Sequence, residues 1–300
     1  MIGPRSRRAI AVAFVLAAVA AGVAYAQTPS AAPVGNFGGG ALAVPVDEHT
    51  VAKDMVLSLR AQSGGRLGVD GQLYTRCGLA TINGDAKLAA GGSFTSRGAA
   101  KTKPVAGVTE TSTFVVKGRL TADGGTGTAH ATLRVRVKRH AIRTCSSRTV
   151  SWTVRRVVGT AAAPGPAPPA ESLLYGLTSQ SGPHAKRAIV LHTTSGGRSI
   201  DRVVVGYRAK CDRGRVVVID EVNYSPEFDV TPTGSFRHVE TFKVPFTDVI
   251  ANTTVVMRGQ FYQGGGAAGK LSVTERFTSR KTGKRVDVCA TGTLTWAAGP

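Results

Sequence analysis

Leu133-Arg134-Val135-Arg136-Val137-Lys138 alternates apolar and basic residues without interruption, and Thr149–Val154 and Thr291–Trp296 alternate in the same way. Successive side chains of a strand point to opposite faces, so this period of two indicates strands with one buried and one exposed face. No window of a dozen residues has the pattern of an amphipathic helix. Pairs such as Asp70-Gly71 and Asn83-Gly84 are typical of tight turns between strands. The pattern therefore predicts an all-β protein.

The chain contains one cysteine-framed unit twice. Each copy runs through an SGGR segment, a Tyr, a Cys, a GSF triplet, two spaced Gly, a second Cys and a Trp. These are Ser63–Arg66, Tyr74, Cys77, Gly92–Phe94, Gly118, Gly127, Cys145 and Trp152, then Ser195–Arg198, Tyr207, Cys211, Gly234–Phe236, Gly259, Gly269, Cys289 and Trp296. The repeat length of roughly 135 residues is too long for a solenoid. It predicts two tandem homologous domains, each an antiparallel β-sandwich or small barrel of about seven strands.

The N-terminus has the features of a cleaved signal peptide. Three arginines precede an apolar run over Ala9–Ala24, and Ala24-Tyr25-Ala26 matches the cleavage pattern, which assigns residues 1–26 to the signal. The run is shorter than the ~20 residues that a spanning helix needs, although an uncleaved membrane anchor is the alternative. No later segment approaches spanning length, so a secreted or envelope-associated product without a membrane span is expected.

Two segments of low complexity divide the rest of the chain. Residues 27–43 are small, uncharged and rich in Gly and Pro, which predicts a disordered linker. Residues 159–171 are rich in Pro and Ala and predict an exposed, extended spacer. These segments leave 44–158 for the first β-domain and 172–300 for the second.

Four cysteines, two in each unit, predict two disulfides in an oxidising compartment. If each domain folds alone, Cys77 pairs with Cys145 and Cys211 pairs with Cys289. The alternative, metal ligation, lacks the CxxC spacing of metal sites, so no metal and no cofactor are expected. Trp152 and Trp296 are expected in the cores beside these bridges, rather than as platforms for sugars.

The sequence holds no recognisable catalytic motif, and no catalytic residue is assigned. The histidines form no HxH or HExxH pair, and there is no GxSxG segment. One acidic cluster, formed by Asp220, Glu221, Glu227 and Asp229, is open to three interpretations. It is a solvated loop, a calcium site or a carboxylate pair for glycoside hydrolysis, and its spacing matches no calcium loop.

Positive charge is the remaining feature that bears on function. The chain has 38 Lys and Arg against 18 Asp and Glu. Alternation places Arg134, Arg136 and Lys138 on one outward face, with Arg139 and Arg143 just beyond. These five residues form a candidate site for an anionic cell-envelope polymer, while a solubilising surface is the plain alternative. Because no aromatic residue interleaves with them, a base-stacking interface with nucleic acid is disfavoured.

The order of Cys77, Gly92–Phe94, Cys145 and Trp152, repeated at Cys211, Gly234–Phe236, Cys289 and Trp296, resembles that of uncharacterised secreted tandem β-domain proteins of high-GC Gram-positive bacteria. The resemblance implies export and brings no known activity. The favoured hypothesis is a non-enzymatic exported protein that acts as a binding or structural module at the cell envelope. The alternative is a secreted hydrolase whose active site lies in one repeat only.

Overall fold

The computed structural model describes residues 32–42, 54–103, 108–137, 141–157, 162–212, 216–217, 222–224, 227–245 and 249–300. These residues form strands, turns and one short 3-10 turn at Ser63–Gly65, and none of them is in an α-helix. The strands make two antiparallel sheets, which confirms the prediction of an all-β protein. The signal segment lies outside the described residues. No helix of the described ranges has the length and apolarity that a membrane crossing requires.

The first sheet contains nine strands. They are β1 (Gly35–Ala41), β2 (Met55–Ala61), β3 (Arg66–Thr75), β4 (Gly78–Lys87), β5 (Ser93–Thr102), β6 (Val108–Leu120), β7 (Gly124–Val137), β8 (Ala141–Ser146) and β9 (Val150–Arg156). Their order across the sheet is β4-β3-β2-β1-β9-β7-β6-β5, and β8 pairs with the far end of β7.

The first sheet curls until its end strands meet, so that it forms a barrel. The Ser96 hydroxyl of β5 donates to the Asp85 carbonyl of β4 at 3.2 Å, and the Thr81 amide of β4 donates to the Ser112 hydroxyl of β6 at 2.9 Å. Ser96 and Ser112 are buried, so these bonds satisfy polar groups at the seam. The interior is filled by apolar side chains, among them Phe37, Leu59 and Phe114.

The second sheet contains twelve strands and curls into a half-barrel. They are β10 (Ser172–Ser181), β11 (Lys186–Thr193), β12 (Ser199–Val205), β13 (Ala209–Cys211), β14 (Val216–Val217), β15 (Val222–Tyr224), β16 (Phe228–Asp229), β17 (Ser235–Pro245), β18 (Val249–Phe261), β19 (Ala267–Ser279), β20 (Arg285–Ala290) and β21 (Leu294–Gly299). Strands β10–β12 and β17–β21 follow the same pairing order as β1–β3 and β5–β9.

The residues that recur in the sequence pair with one another across each sheet. Phe94 lies opposite Gly118, which lies opposite Gly127, which lies opposite Trp152. Phe236, Gly259, Gly269 and Trp296 pair in the same sequence in the second sheet. A Cβ on Gly118 would come within 2.4 Å of the Trp152 ring, and a Cβ on Gly259 within 2.8 Å of the Trp296 ring. Both tryptophans are buried, which confirms their predicted place in the cores.

Both predicted disulfides are present. Cys77, in the turn between β3 and β4, is bonded to Cys145 of β8. Cys211 of β13 is bonded to Cys289 of β20, its direct partner in the ladder. Such bonds persist in oxidising environments and indicate an extracellular or otherwise oxidising compartment.

The two sheets pack against each other. An apolar cluster of Val56, Leu177, Ala188 and Val204 joins β2 to β10–β12. Beside it, Asp54 forms an ion pair with Arg202 at 2.5 Å, and the side chains of both residues are at most 2% exposed. The Asp70 carboxylate accepts the backbone amides of His184 and Ala185 at 2.7 and 2.6 Å. Buried ionic groups are tolerated when each is paired with an opposite charge or accepts further hydrogen bonds, because these interactions offset the cost of desolvation.

Parts of both low-complexity segments contact the sheets, which their composition did not predict. Gly35–Ala41, part of the expected disordered linker over 27–43, is β1 and pairs with both β2 and β9. Residues 162–170, part of the expected spacer over 159–171, run along the second sheet. Gly165 donates its amide to the Phe261 carbonyl at 3.0 Å, and Ala167 belongs to the second core. Small residues let the backbone approach its neighbours closely, which composition alone does not reveal.

Candidate anion-binding faces

The structure describes three of the five residues of the predicted anion-binding site, and it places them on two different faces of the sheet. Arg134 and Arg136 are exposed on the outward face of β7, as their alternation predicts. Lys138 and Arg139 lie outside the described residues. Arg143 lies opposite Val135 in the pairing of β7 with β8, so it belongs to the other face of the sheet. Sequence adjacency did not reveal this because the register between two strands decides which residues share a face.

Arg134 and Arg136 belong to a wider cationic face. The outward positions of β5, β6 and β7 carry six exposed cations, which are Arg97, Lys101, Lys117, Arg119, Arg134 and Arg136. Threonines occupy many of the positions between them, so that Lys117, for example, lies between Thr95 and Thr128. None of the described outward positions on these three strands is Asp or Glu. We call this surface the first cationic face.

The second sheet carries a tighter arrangement that the sequence analysis missed. Arg237 of β17 lies directly opposite Arg258 of β18, which lies directly opposite Lys270 of β19. All three side chains are exposed, and no ion pair joins any of them to a described acidic residue. We call these three residues the cation row. Adjacent strands lie ~4.8 Å apart, so three positive charges cross the sheet at nearly that spacing.

A shallow depression of about 540 Å³ lies beside the cation row. It is lined by the row itself and by the next outward row, which consists of Ser235, Gln260 and Ala268. Ser235 and Ala268 are much shorter than the arginines and the lysine, so the sheet surface is lower there. No lining residue is acidic, and none is a histidine. The arrangement suits the binding of anions and offers no general base.

The cation row has a signature in the sequence, although it is not a run of basic residues. Arg237 follows Phe236, Arg258 precedes Gly259, and Lys270 follows Gly269. The flanking Phe and Gly residues are the landmarks that pair across the sheet. In an antiparallel ladder, the residue after one landmark lies opposite the residue before the next. The pairing of the recurring Phe and Gly residues therefore fixes the strand register, and this register aligns the three cations across the sheet.

Two buried titratable groups of the second sheet, His192 and Glu275, do not have the arrangement of a hydrolase site. His192 is buried, with Nδ1 at 2.5 Å from the Asp201 carboxylate and Nε2 at 2.9 Å from the Glu171 carboxylate. Both ring nitrogens are therefore occupied, whereas a general base needs one nitrogen directed at a nucleophile. Burial raises the pKa of Glu275, and the hydroxyl of Tyr207, which donates to it at 2.8 Å, offsets part of that rise. Glu275 is closed off from solvent.

Two further groups of possible ligand atoms remain to be considered. Cys211, Cys289 and Asp287 bring possible metal-ligand atoms within 4.8 Å of one another, but both sulfurs are consumed by the disulfide. Of the acidic cluster in the sequence, Asp220 and Glu221 lie outside the described residues. Glu227 and Asp229 are exposed. Its three interpretations remain predictions.

Comparison with known proteins returns no match, whether to a family model, to a curated protein or to a solved structure.

Proposed function

We propose that this chain is an exported, non-enzymatic protein of two homologous β-domains that binds an anionic polymer of the cell envelope through the outward faces of its sheets. The observation that supports the proposal is the composition of those faces. Outward positions of β5–β7 and of β17–β19 carry Arg, Lys and uncharged residues, with no described Asp or Glu among them. Surfaces of one sign attract polyanions and raise their association rate.

Charge separation in the molecule supports the same proposal. Three acidic residues illustrate this: Asp70 is buried where the sheets meet, Glu110 lies on the inward face of β6 and Asp123 lies in the turn between β6 and β7. Burial raises the pKa of both the Asp70 and the Glu110 carboxyl, because desolvation disfavours their charged forms. A general solubilising surface has no need to exclude carboxylates from two sheet faces. The arrangement is what a surface for anions requires.

The salt dependence of binding tests the proposal. Binding of the chain to heparin, used as a linear polyanion, should weaken steeply as salt increases, because each contact releases condensed counterions. Replacing Arg134 and Arg136 by Ser should reduce the slope of log K against log salt by about 1–2. The matched control replaces two exposed arginines away from that face, Arg66 at the start of β3 and Arg76 in the turn after it. Equal slopes for the two variants would show that net charge alone drives binding, and the proposal for the first cationic face would be withdrawn.

A further inference from the structure

We infer that the outer edge of β8, the edge that faces away from β7, binds an extended acidic segment of another protein as an added strand. The inference goes beyond the proposed function, because the ligand is a polypeptide held by its backbone rather than a polymer held by charge alone. Three features of the described residues support it: the pairing of the corresponding strand in the second sheet, the backbone groups of β8 and the side chains around them.

The second sheet shows what lies beside the strand that corresponds to β8. Cys145 of β8 lies opposite Leu133 of β7. Cys289 of β20 lies opposite Glu275 of β19 in the same way, so β8 and β20 hold the same place in their sheets. β20 pairs with β13 on its second edge, whereas the described residues give β8 no strand neighbour besides β7. An added strand would therefore complete in the first sheet an arrangement that the second sheet already has.

The backbone of β8 offers hydrogen bonds at this edge. In the second sheet the Val288 carbonyl accepts the Asp212 amide at 2.9 Å, so Val288 directs its backbone groups away from β19. Thr144 and Val288 each precede the cysteine of their strand, and alternate residues direct their backbone groups to the same edge. Thr144 and Ile142 therefore direct their N–H and C=O groups to the outer edge of β8. Such a row of donors and acceptors is a template for pairing with another chain.

The side chains of β8 determine which sequence suits an added strand. Ile142 is 50% exposed and shares one face of the sheet with Thr144, while Arg143 is exposed on the other face. Successive residues of an added strand alternate between these two faces. Directly opposite side chains lie about 4.5–5.5 Å apart at Cβ, where opposite charges attract and β-branched residues pack. The fitting partner therefore has acidic residues opposite Arg143, alternating with β-branched residues opposite Ile142 and Thr144.

Charge disfavours a second copy of this chain as the occupant. Neither β7 nor β8 contains Asp or Glu, and the two strands carry Arg134, Arg136 and Arg143. Two copies joined at β8 would bring two sets of these arginines together, and juxtaposed like charges suppress such pairing. A charged residue on an edge strand prevents pairing with unselected strands. An acidic strand is attracted by the same arginines, so charge selects it over a second copy.

The first test measures binding of a labelled peptide that alternates Glu with Val to the full chain by fluorescence anisotropy. A second peptide has the same sequence and charge but is N-methylated at two consecutive central residues, which blocks both edges of the strand. It should bind at least about tenfold more weakly, because strand addition depends on main-chain hydrogen bonds. Equal binding of the two peptides would mean that charge alone holds them, and this result overturns the inference. Absence of binding by the Glu–Val peptide up to about 1 mM also overturns it.

The second test reverses the charge at the site. Arg143→Glu should weaken binding of the Glu–Val peptide by about fivefold or more and should strengthen binding of a peptide that alternates Lys with Val. Loss of folding cannot produce that gain. The matched control, Arg66→Glu, makes the same charge change at the end of β3 away from Cys77 and should alter binding by less than about twofold. Equal effects of the two variants overturn the inference, and so does sedimentation of the chain as a dimer that the Glu–Val peptide dissociates, since a second copy would then be the occupant.

Discussion

Replacing Arg258 by Thr should make the protein more stable, although it removes a residue of the proposed binding site. Arg258 lies directly opposite Arg237 on one side and Lys270 on the other. Like charges that face each other across strands are destabilising. Threonine keeps the strand preference and the outward position while removing both repulsive pairs. In the first sheet the corresponding cation, Lys117, lies between two threonines and suffers no such repulsion.

The size of the effect follows from the register. Two unit charges about 6 Å apart in water repel by roughly 0.7 kcal/mol, and Arg258 takes part in two such pairs. Cross-strand pairs measured in proteins span roughly 0.2–1 kcal/mol each. We therefore expect Arg258→Thr to raise the free energy of unfolding by about 1 kcal/mol at low ionic strength. Because the Debye length falls from ~30 Å at 0.01 M salt to ~3 Å at 1 M, the gain should nearly vanish in concentrated salt.

Urea unfolding at 0.01 M and 1 M NaCl, with Lys117→Thr as the matched control, measures this gain. Urea is preferred because guanidinium chloride would screen the charges itself. The expected result is a higher urea midpoint for Arg258→Thr at low salt only, and no gain for Lys117→Thr at either salt. A loss of stability in Arg258→Thr, or a gain that is the same at both salts, would refute the reasoning. It would mean that the three cations do not face one another as the register places them.

Two further predictions concern buried groups. Arg202→Ala should lower the free energy of unfolding in urea by about 3–5 kcal/mol, since it leaves the buried Asp54 carboxylate without this partner. The double change Asp54→Leu with Arg202→Met should cost clearly less, and an equal cost would argue against a buried pair. Burial raises the pKa of Glu275 above 4.5, so the folded state holds its proton to higher pH than the unfolded state does. Stability should therefore fall as pH rises through the raised pKa, and Glu275→Gln should remove that slope; parallel pH profiles of the two proteins would contradict this.

Local sequence patterns were sufficient to predict those strands of the first sheet that have one buried and one solvent-exposed face. The alternation from Leu133 to Val137 corresponds to the end of β7, and the alternation from Val150 to Val154 corresponds to β9. Cysteine pairing was predicted as well, because each unit holds one pair. In both cases the deciding information lies within a few residues or within one repeat. The prediction of an all-β protein needed nothing more.

Tertiary contacts decide the places where sequence patterns failed. Asp70-Gly71 and Asn83-Gly84 were predicted as turns but lie inside β3 and β4, where Asp70 and Asn83 are direct partners. A Cβ on Gly71 would come within 2.4 Å of the Val56 carbonyl oxygen, so the glycine permits close packing rather than a reversal. Likewise, a Cβ on Gly38 of β1 would lie 2.0 Å from the Gly176 carbonyl oxygen of the other sheet. At these positions a segment from far away in the chain packs where a side chain would be, so only glycine fits. Composition and local sequence do not predict such contacts.

The candidate site shows the same division between local pattern and register. Arg134 and Arg136 were found because they are two residues apart on one strand, whereas Arg143 was grouped with them although its register with β7, which is not local, puts it on the other face. The cation row was missed because its members are on three strands. It could have been derived in two steps, by pairing the repeated Phe and Gly landmarks and then taking the neighbours of each. Residues that recur in the sequence and pair in the same order in both sheets fix the register. The residues beside them that differ between the two sheets, such as Arg237 against Thr95 and Lys270 against Thr128, are then the first place to look for a function that one sheet has and the other lacks.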